Sequence, residues 1–239
     1  AQVVSNPACL KPSSIPPTPE NSPPTVNLFT NNSLVIYRDK KLYTIYMIQK
    51  EIQINRSGKL IIKGHRYDES ENNDFANMFF SWMSFKDSGK FVNQRVNIPE
   101  GLTEGLVAKD IPNVYRKIKV LKNYGKQPTK FDCYKVDTDE IIEVKACSIP
   151  NDLTSWSPKP YFDKLYFLDF SSLDGKYGIY EIYINSEELK DTQVSEDETF
   201  RDQVAKQRRP RFSVFEKFIR PNYKCSGVPI FEDDLKNYL

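Results

Sequence analysis

Two acidic residues and one lysine near the middle of the chain have the types and spacing of a metal-dependent phosphodiesterase centre. Asp132 lies in the apolar run 131–136, while Glu143 and Lys145 lie in the run 141–147, beyond a short polar turn. β-Branched and aromatic runs separated by such a turn predict a β-hairpin. Because side chains alternate along a strand, Glu143 and Lys145 share a face, and the hairpin brings Asp132 to the same end.

This pair of carboxylates suits Mg²⁺, a hard cation that binds carboxylate oxygens and keeps several waters. We assign the metal to Asp132, Glu143 and Val144, where it would neutralise charge on a phosphate and lower the pKa of its water. Lys145 would orient or deprotonate that water, or stabilise the transition state. An acidic-x-Lys triplet can also be an ordinary salt bridge on a strand. Burial among apolar residues favours the metal site, because buried carboxylates are costly unless paired or metal-bound.

The elements around this hairpin indicate an α+β fold with a mixed central sheet flanked by helices. Apolar runs at 165–170 and 177–184 predict two further strands. Helical spacing of apolar residues begins after Asp74, the predicted N-cap, and a short helix is expected near 187–190. Another helix is predicted at about 100–109, ending before a proline. Its expected buried face consists of Leu102, Leu106 and Val107.

The N-terminal part of the chain has a different composition. Residues 1–27 hold seven of the 16 prolines, which predicts an extended arm. This arm is either a disordered tail or a segment that wraps a partner subunit. Residues 28–70 form an appendage in which runs over about 33–64 predict an antiparallel β-meander. The meander either contacts DNA or extends the central sheet. The catalytic and DNA-binding core is expected to span residues 71–239.

Composition excludes several classes of protein. The single histidine, His65, excludes HNH and ββα-metal nucleases and His-rich zinc sites, and permits a Ser-His-Asp hydrolase only with His65 as base. Four cysteines without a CxxC pair argue against a zinc ribbon and favour a reducing, cytoplasmic compartment. The chain has only 9 glycines, which argues against a glycine-rich phosphate loop. No run reaches the roughly 18 apolar residues of a membrane helix. We therefore expect neither a nucleotide cofactor nor a membrane partner.

The hairpin resembles the signature of the PD-(D/E)xK nuclease superfamily, in the residues Asp132, Glu143, Val144 and Lys145. The sequence departs from the signature at Phe131, where proline is usual. Small type II restriction endonucleases of this superfamily are similar in segments 145–156, 166–170 and 208–213. The resemblance covers about residues 95–220. It implies a Mg²⁺-dependent, sequence-specific endonuclease of double-stranded DNA that leaves 5′-phosphates, acting in a bacterial or archaeal cytoplasm. A homodimer is implied as well, because two-fold protein symmetry matches a palindromic or interrupted palindromic site.

The superfamily commonly carries a glutamate on the helix before the hairpin. Glu104 matches that position, and the resemblance implies that it contacts the metal through water or holds Lys145. Glu100 is the alternative, although it can instead serve the first turn of its helix. A solvated helix charge is the other interpretation of Glu104.

Charge is sorted along the chain, with net charges of +6 in 109–130, +6 in 199–224 and −6 in 181–198. Two basic segments on a nearly neutral protein are typical of a surface that binds the phosphate backbone. Arginine forks suit phosphates and guanine edges. The predicted DNA contacts are these arginines and the polar loop after the hairpin: Arg208, Arg209, Arg211, Ser148, Asn151, Thr154, Ser155 and Lys159. We expect Trp156 in the same loop to pack in the core rather than stack on a base.

Three other functions compete with the restriction endonuclease. The first is a structure-specific repair or junction nuclease on the same fold. The second is a DNA-binding module without catalysis, and the third is a protein in which the acidic residues and the lysine form only a salt bridge. Cleavage of linear DNA into discrete bands would indicate the restriction endonuclease. Cleavage of branched DNA only would indicate the junction nuclease, and binding without cleavage would indicate the DNA-binding module.

Overall fold

The computed structural model describes residues 25–30, 33–35, 50–89, 97–149 and 152–239. Its strands are β1 (Thr25–Thr30), β2 (Ser33–Val35), β3 (Glu51–Arg56), β4 (Leu60–His65), β5 (Val114–Asn123), β6 (Cys133–Lys135), β7 (Glu140–Cys147), β8 (Thr154–Ser155), β9 (Lys164–Asp169), β10 (Lys176–Ile182), β11 (Gln193–Ser195), β12 (Glu198–Thr199), β13 (Arg211–Phe212) and β14 (Phe231–Asp234). The α-helices are α1 (Asn72–Gly89), α2 (Glu100–Asp110), α3 (Ser186–Lys190) and α4 (Phe200–Ala205). Short 3₁₀ turns span Glu69–Glu71 and Leu235–Tyr238, and a π-helical turn spans Phe215–Ile219.

One large mixed sheet organises the described part of the chain. Its order is β14-β10-β9-β7-β6-β5-β4-β3-β1-β2, with β7 and β9 parallel and the other neighbours antiparallel. Two small ribbons, β8 with β13 and β11 with β12, lie outside it. The predicted α+β class with a mixed central sheet is therefore confirmed.

The predicted hairpin lies in the middle of this sheet. Its first strand, β6, is short and pairs with β7 through Cys133↔Ile142 and Tyr134↔Ile141, and β5 and β9 flank the pair. The polar turn is where the sequence predicts it, and Asp139 takes a left-handed backbone conformation there (φ 58°). The strands predicted at 165–170 and 177–184 correspond to β9 and β10. Central placement means that β7 is covered on both faces.

Two apolar layers cover the sheet. On one face, α1 and α2 pack over Ile142 and Val144 of β7, which are both buried as the alternation predicts. On the other face, Ile141 packs with Trp156 and with the C-terminal part of the chain around the π-helical turn. The acidic residue and the lysine of β7 point toward this second face, because they alternate with the residues under the helices.

The helices agree with the prediction except at one end. The helix α2 matches the predicted bounds, and its expected buried residues Leu102, Leu106 and Val107 are fully buried. The prediction of Asp74 as the N-cap of α1 is wrong, because the helix begins at Asn72. A 3₁₀ turn with a capping box at Asp68 leads directly into the helix, so Asp74 lies in its first turn.

The N-terminal strands continue the central sheet. The strands β3 and β4 pair with each other, and β4 pairs with β5. The strand β1 includes residues 25–27, which belong to the predicted arm, and it pairs with β3. Residues 1–24 and the run predicted at 42–48 lie outside the described residues. Within the described ranges, no helix is long and apolar enough to cross a membrane.

Candidate active site

Asp132 leaves the regular hydrogen-bond ladder of the hairpin just before β6 begins. Continuing the Cys133↔Ile142 pairing by one residue would place it opposite Glu143. Its N–H instead donates to the Ile142 carbonyl at 3.2 Å, and its Oδ2 accepts the Val144 N–H at 2.7 Å. The carboxylate thus takes the place of a main-chain acceptor. It is held against β7 at the middle residue of the predicted motif.

Glu143 and Lys145 share a face of β7, as the period-two alternation predicts. The Lys145 Nζ donates to Oε1 of Glu143, and their side chains are only 19% and 17% exposed, respectively. The salt bridge considered in the sequence is therefore present. It lies in a half-buried setting beside a second carboxylate, that of Asp132. We call these three residues the carboxylate–lysine cluster.

The electrostatics of the cluster show an excess of buried negative charge. Burial raises the pKa of Asp132 above its usual range, against the nearby Lys145 ammonium. Burial also raises the pKa of Glu143, with Lys145 opposing the rise and the charge of Asp132 adding to it. The Lys145 ammonium opposes this rise at both carboxylates, and Lys117 opposes it more weakly. A cation placed between the two carboxylates would favour their ionised forms further.

A third carboxylate, Glu104, approaches from α2. Its Oε2 accepts a hydrogen bond from Nε of Arg116 at 2.7 Å. Burial raises the pKa of Glu104 to about 7, with Arg116 opposing the rise and Asp132 adding to it. In this structure Glu104 is paired with Arg116, whereas Lys145 is held by Glu143. Glu100, the alternative, lies exposed in the first turn of α2.

Sequence reasoning did not single out the two basic residues of β5 that flank the cluster. These two residues are Arg116 and Lys117. The main-chain N–H of Lys117 donates to the Asp132 carbonyl at 3.0 Å. The Lys117 Nζ donates to the Thr129 carbonyl at 2.7 Å and also to the Phe131 carbonyl. Lys117 thus binds three carbonyls at and before Asp132. The signal that could have found both residues is the basic segment 109–130, read with the alternation of a strand.

The ribbon of β8 and β13 brings two predicted DNA-binding segments together. Arg211 pairs with Ser155, and Phe212 pairs with Thr154. Nothing in the sequence links residues 154–155 to 211–212, since more than fifty positions separate them. The β8–β13 ribbon thus joins the loop that follows the cluster to the arginine-rich segment.

The remaining predicted DNA contacts have different surroundings. Arg209 and Arg211 are exposed, although Arg209 Nε also donates to the Trp156 carbonyl at 3.1 Å. Arg208 donates to Glu198, which also holds Lys206 at 2.6 Å. Ser148 is half-buried after β7, Lys159 is exposed, and Asn151 lies outside the described residues. The Ser155 hydroxyl is buried and lacks a hydrogen-bond partner among the described residues.

Trp156 connects the β8–β13 ribbon to the cluster. Its side chain is 1% exposed, which confirms the expected core position. Its ring stacks on Phe212 of β13, with centroids 5.4 Å apart. The Lys145 Nζ lies 5.4 Å from the centroid of the Trp156 ring, within the range of a cation–π contact.

The cluster fits a Mg²⁺ ion by the chemistry of its donors. No group of three or more His, Cys, Asp or Glu side chains in the described residues is arranged to hold a metal. Mg²⁺ does not need such a cage, because it commonly takes one or two carboxylates and fills its other positions with waters. The carboxylates of Asp132 and Glu143, with the Val144 carbonyl, form a donor set of that kind. Their raised pKa values indicate that both would gain from a nearby cation.

Comparison with known proteins assigns the chain to a family. The family model described as Bsp6I restriction endonuclease matches residues 67–221, and the chain belongs to this family. Among curated proteins, it is similar to the Type II restriction enzyme Bsp6I of Bacillus sp. (strain RFL6). The identity is 36% over 159 residues, which are 66% of this chain and 86% of that relative. No solved structure matches the chain. The predicted class, a type II restriction endonuclease, is therefore confirmed.

The matched segment contains α1, α2, the hairpin and both strands of the β8–β13 ribbon. It begins two residues after β4 ends. The strands β1–β4 therefore lie outside the part that the family model describes, although β4 pairs with β5 in the same sheet.

Proposed function

We propose that this chain is a Mg²⁺-dependent endonuclease that cleaves double-stranded DNA at a specific sequence and leaves 5′-phosphates. The observation that carries the proposal is the carboxylate–lysine cluster, in which two half-buried carboxylates and one ammonium lie at the central strand β7. Family membership supplies the substrate class. In this proposal the cluster serves as the PD-(D/E)xK signature that the sequence resembles, with Phe131 in place of the usual proline.

Each residue of the cluster has a role in this proposal. Asp132 and Glu143, with the Val144 carbonyl, would hold the metal, and the hydrogen bond from the Val144 N–H fixes the Asp132 carboxylate against the strand. When bound, Mg²⁺ would neutralise charge on the phosphate and lower the pKa of the attacking water. Lys145 leaves Glu143 to orient that water and to stabilise charge on the phosphate oxygens. The water oxygen would bond to phosphorus and give up a proton to solvent, while the bond from phosphorus to the 3′ oxygen breaks and the 3′ oxygen takes a proton from solvent, which leaves a 5′-phosphate and a 3′-hydroxyl.

The outer groups keep this arrangement in place. Arg116 forms an ion pair with Glu104, which extends from α2 toward the site. Glu104 is close enough to Asp132 for the two charges to interact. Of the two roles, Glu104 would serve the metal through water, because Lys145 is held by Glu143 and not by Glu104. Lys117 fixes the main chain that leads to Asp132. Residues that orient metal ligands in this way commonly change metal affinity or activity about 10- to 100-fold when removed.

The DNA surface in this proposal consists of the β8–β13 ribbon and its arginines. Arg211 and Arg209 are exposed, and they would bind phosphates or guanine edges. A palindromic or interrupted palindromic site requires two such surfaces, so we propose a homodimer. Such an enzyme would act on DNA in the cytoplasm of a bacterium or archaeon.

Digestion of a sequenced plasmid with Mg²⁺, followed by mapping of the ends, tests the proposal. Discrete fragments with 5′-phosphates that a ligase rejoins are expected, and none should form when the metal is removed with a chelator. Cleavage of branched DNA only would indicate a junction nuclease. A shifted but intact duplex under the same conditions would indicate a DNA-binding module and would overturn the proposed activity.

A further inference from the structure

Trp156 stands between the two parts of the proposed enzyme that must act together. On one side its ring faces the Lys145 Nζ at 5.4 Å. On the other side it directly follows β8 of the β8–β13 ribbon, and its main-chain N–H donates to the Pro210 carbonyl, just before β13, at 3.1 Å. Its carbonyl accepts from Arg209 Nε at 3.1 Å. Trp156 therefore contacts the catalytic lysine with its ring and the arginine-rich strand with its backbone.

The ring of Trp156 is held by aromatic packing on the ribbon side. It stacks nearly parallel on Phe212, with an angle of 17° between the rings. Phe162 contacts it from another side, with centroids 6.4 Å apart. A displacement of β13 would therefore move the indole with it, because Phe212 belongs to that strand and close-packed interiors transmit displacement.

Lys145 has two partners in the structure that compete for its ammonium. One is the Glu143 carboxylate, which it must leave if Glu143 is to bind a metal. The other is the π face of Trp156, which can hold a cation without consuming a metal ligand. The indole thus offers the ammonium a site next to the cluster once Glu143 is occupied.

We propose that Trp156 is the positioning residue through which the β8–β13 ribbon places Lys145. DNA seated on the ribbon then determines whether the ammonium stays on Glu143 or turns to the reacting phosphate. This inference rests on the proposed function, because it assigns the coupling of recognition to cleavage within the same site. Side-chain hydrogen bonds of Ser155 and Trp156 do not fix the indole in the described structure. The Ser155 hydroxyl and the Trp156 Nε1 are both buried without hydrogen-bond partners among the described residues.

Steady-state cleavage of the mapped site tests the coupling. Trp156→Leu should lower kcat about 3- to 30-fold, the range of a cation–π contact, with KM and duplex affinity in Ca²⁺ little changed. Trp156→Phe should fall between this variant and the wild type, because a phenyl ring holds a cation more weakly than an indole. Phe79→Leu is the matched control, since it removes a fully buried aromatic ring from the apolar layer on the other face of the sheet, and it should keep kcat.

Fluorescence gives a readout that a purely structural role would not move. The chain has two tryptophans, so Trp82→Phe leaves Trp156 as its only indole. In this background, the cognate duplex with Ca²⁺ should shift the Trp156 emission more than a scrambled duplex does. Lys145→Met should change the emission of the free protein and remove the difference between the duplexes.

The outcomes separate the two proposals. Cleavage by the wild type with an unchanged kcat in both Trp156 variants would overturn the coupling alone. An unchanged Trp156 emission in the Lys145→Met variant would also overturn the coupling. Failure of the wild type to cut any duplex would overturn the proposed function and the coupling with it.

Discussion

The carboxylate–lysine cluster and the arginines of the β8–β13 ribbon carry charge in opposite environments. Asp132, just before β6, and Glu143, on β7, are half-buried at the centre of the sheet, and burial raises the pKa of both. Arg209 and Arg211 are exposed at the edge of a two-residue ribbon. Buried charge is costly without a partner, whereas exposed charge costs little. The proposed roles follow this difference: the first region would bind a metal cation, and the second would bind the polyanionic DNA backbone.

Substitutions in the two regions should therefore affect different properties, namely the rate of cleavage in the cluster and the affinity for DNA on the ribbon. Removing a buried carboxylate changes what the site can hold but leaves the DNA surface intact. Removing an exposed arginine changes how DNA is held but leaves the cluster intact. Trp156 is the contact between the two regions, so its substitution should affect their coupling rather than either region by itself.

The largest effect is expected at the buried carboxylates. Asp132→Ala and Glu143→Ala should each abolish cleavage, because each removes a donor to the metal, while duplex binding in Ca²⁺ stays largely intact. Plasmid cleavage with Mg²⁺ and band shifts with Ca²⁺ measure the two properties. Asp137→Ala, in the exposed turn of the same hairpin, is the control and should cut normally. Wild-type cleavage by either cluster variant would show that the site is misplaced.

The next largest effect is expected at Lys145. Lys145→Met keeps most of the side-chain volume and removes the charge, and turnover should fall at least about 100-fold, as for general acid–base groups. Lys164→Met is the matched control, because both lysine side chains are 19% exposed and both pair with glutamate. Single-turnover rates with the mapped duplex measure the effect. Equal rates for Lys145→Met and Lys164→Met would show that Lys145 only forms a structural ion pair with Glu143.

A smaller effect is expected at Lys117, which positions Asp132 through the main chain. Lys117→Met should lower activity by about 10- to 100-fold, as for other residues that orient ligands, and raise the Mg²⁺ concentration needed for half-maximal cleavage. Lys119→Met, exposed on the same strand, is the control. A titration of cleavage rate against Mg²⁺ measures both effects. An unchanged midpoint with lower thermal stability would make Lys117 a residue of the fold only.

The smallest effects are expected on the ribbon and concern binding. Arg211→Ala should weaken binding to every duplex and flatten the slope of log K against log salt by about one unit. Arg208→Ala should do less, because Glu198 already neutralises Arg208 together with Lys206. Affinities for cognate and scrambled duplexes at several salt concentrations measure this comparison.

Glu198→Gln sharpens the same comparison in the opposite direction. Its carboxylate is held ionised by Lys206 and Arg208, which lower its pKa to about 2. Removing that charge frees both cations and should strengthen binding at low salt by about threefold, a typical effect of an exposed pair. A loss at Arg211 confined to one base position with an unchanged slope would indicate guanine reading instead. Unchanged affinity in Arg208→Ala, Arg209→Ala and Arg211→Ala would place the DNA nearer residues 109–130.

Local pattern was sufficient to predict the centre of the molecule. The alternation in 141–147 placed Glu143 and Lys145 on one face, and the polar turn specified the hairpin with Asp132 at its end. Helical spacing gave α2 and its buried residues. These features depend on periodicity within a few residues, which a sequence displays directly. The start of α1 was missed because a capped 3₁₀ turn precedes the helix, and the pattern of apolar residues does not show it.

Contacts between distant segments were decided only by the tertiary structure. The sequence by itself determined the residue types of the cluster, the hairpin that carries them and the sorting of basic segments. It did not determine that Lys145 pairs with Glu143 while Glu104 pairs with Arg116, or that residues 154–155 pair with 211–212. Each of these side chains and strands could pair with several chemically equivalent partners. Which partner it meets depends on the strand order and packing of the whole sheet, and not on the local periodicity of the sequence. For the same reason, the position of Trp156 between the ribbon and Lys145 follows from the fold alone.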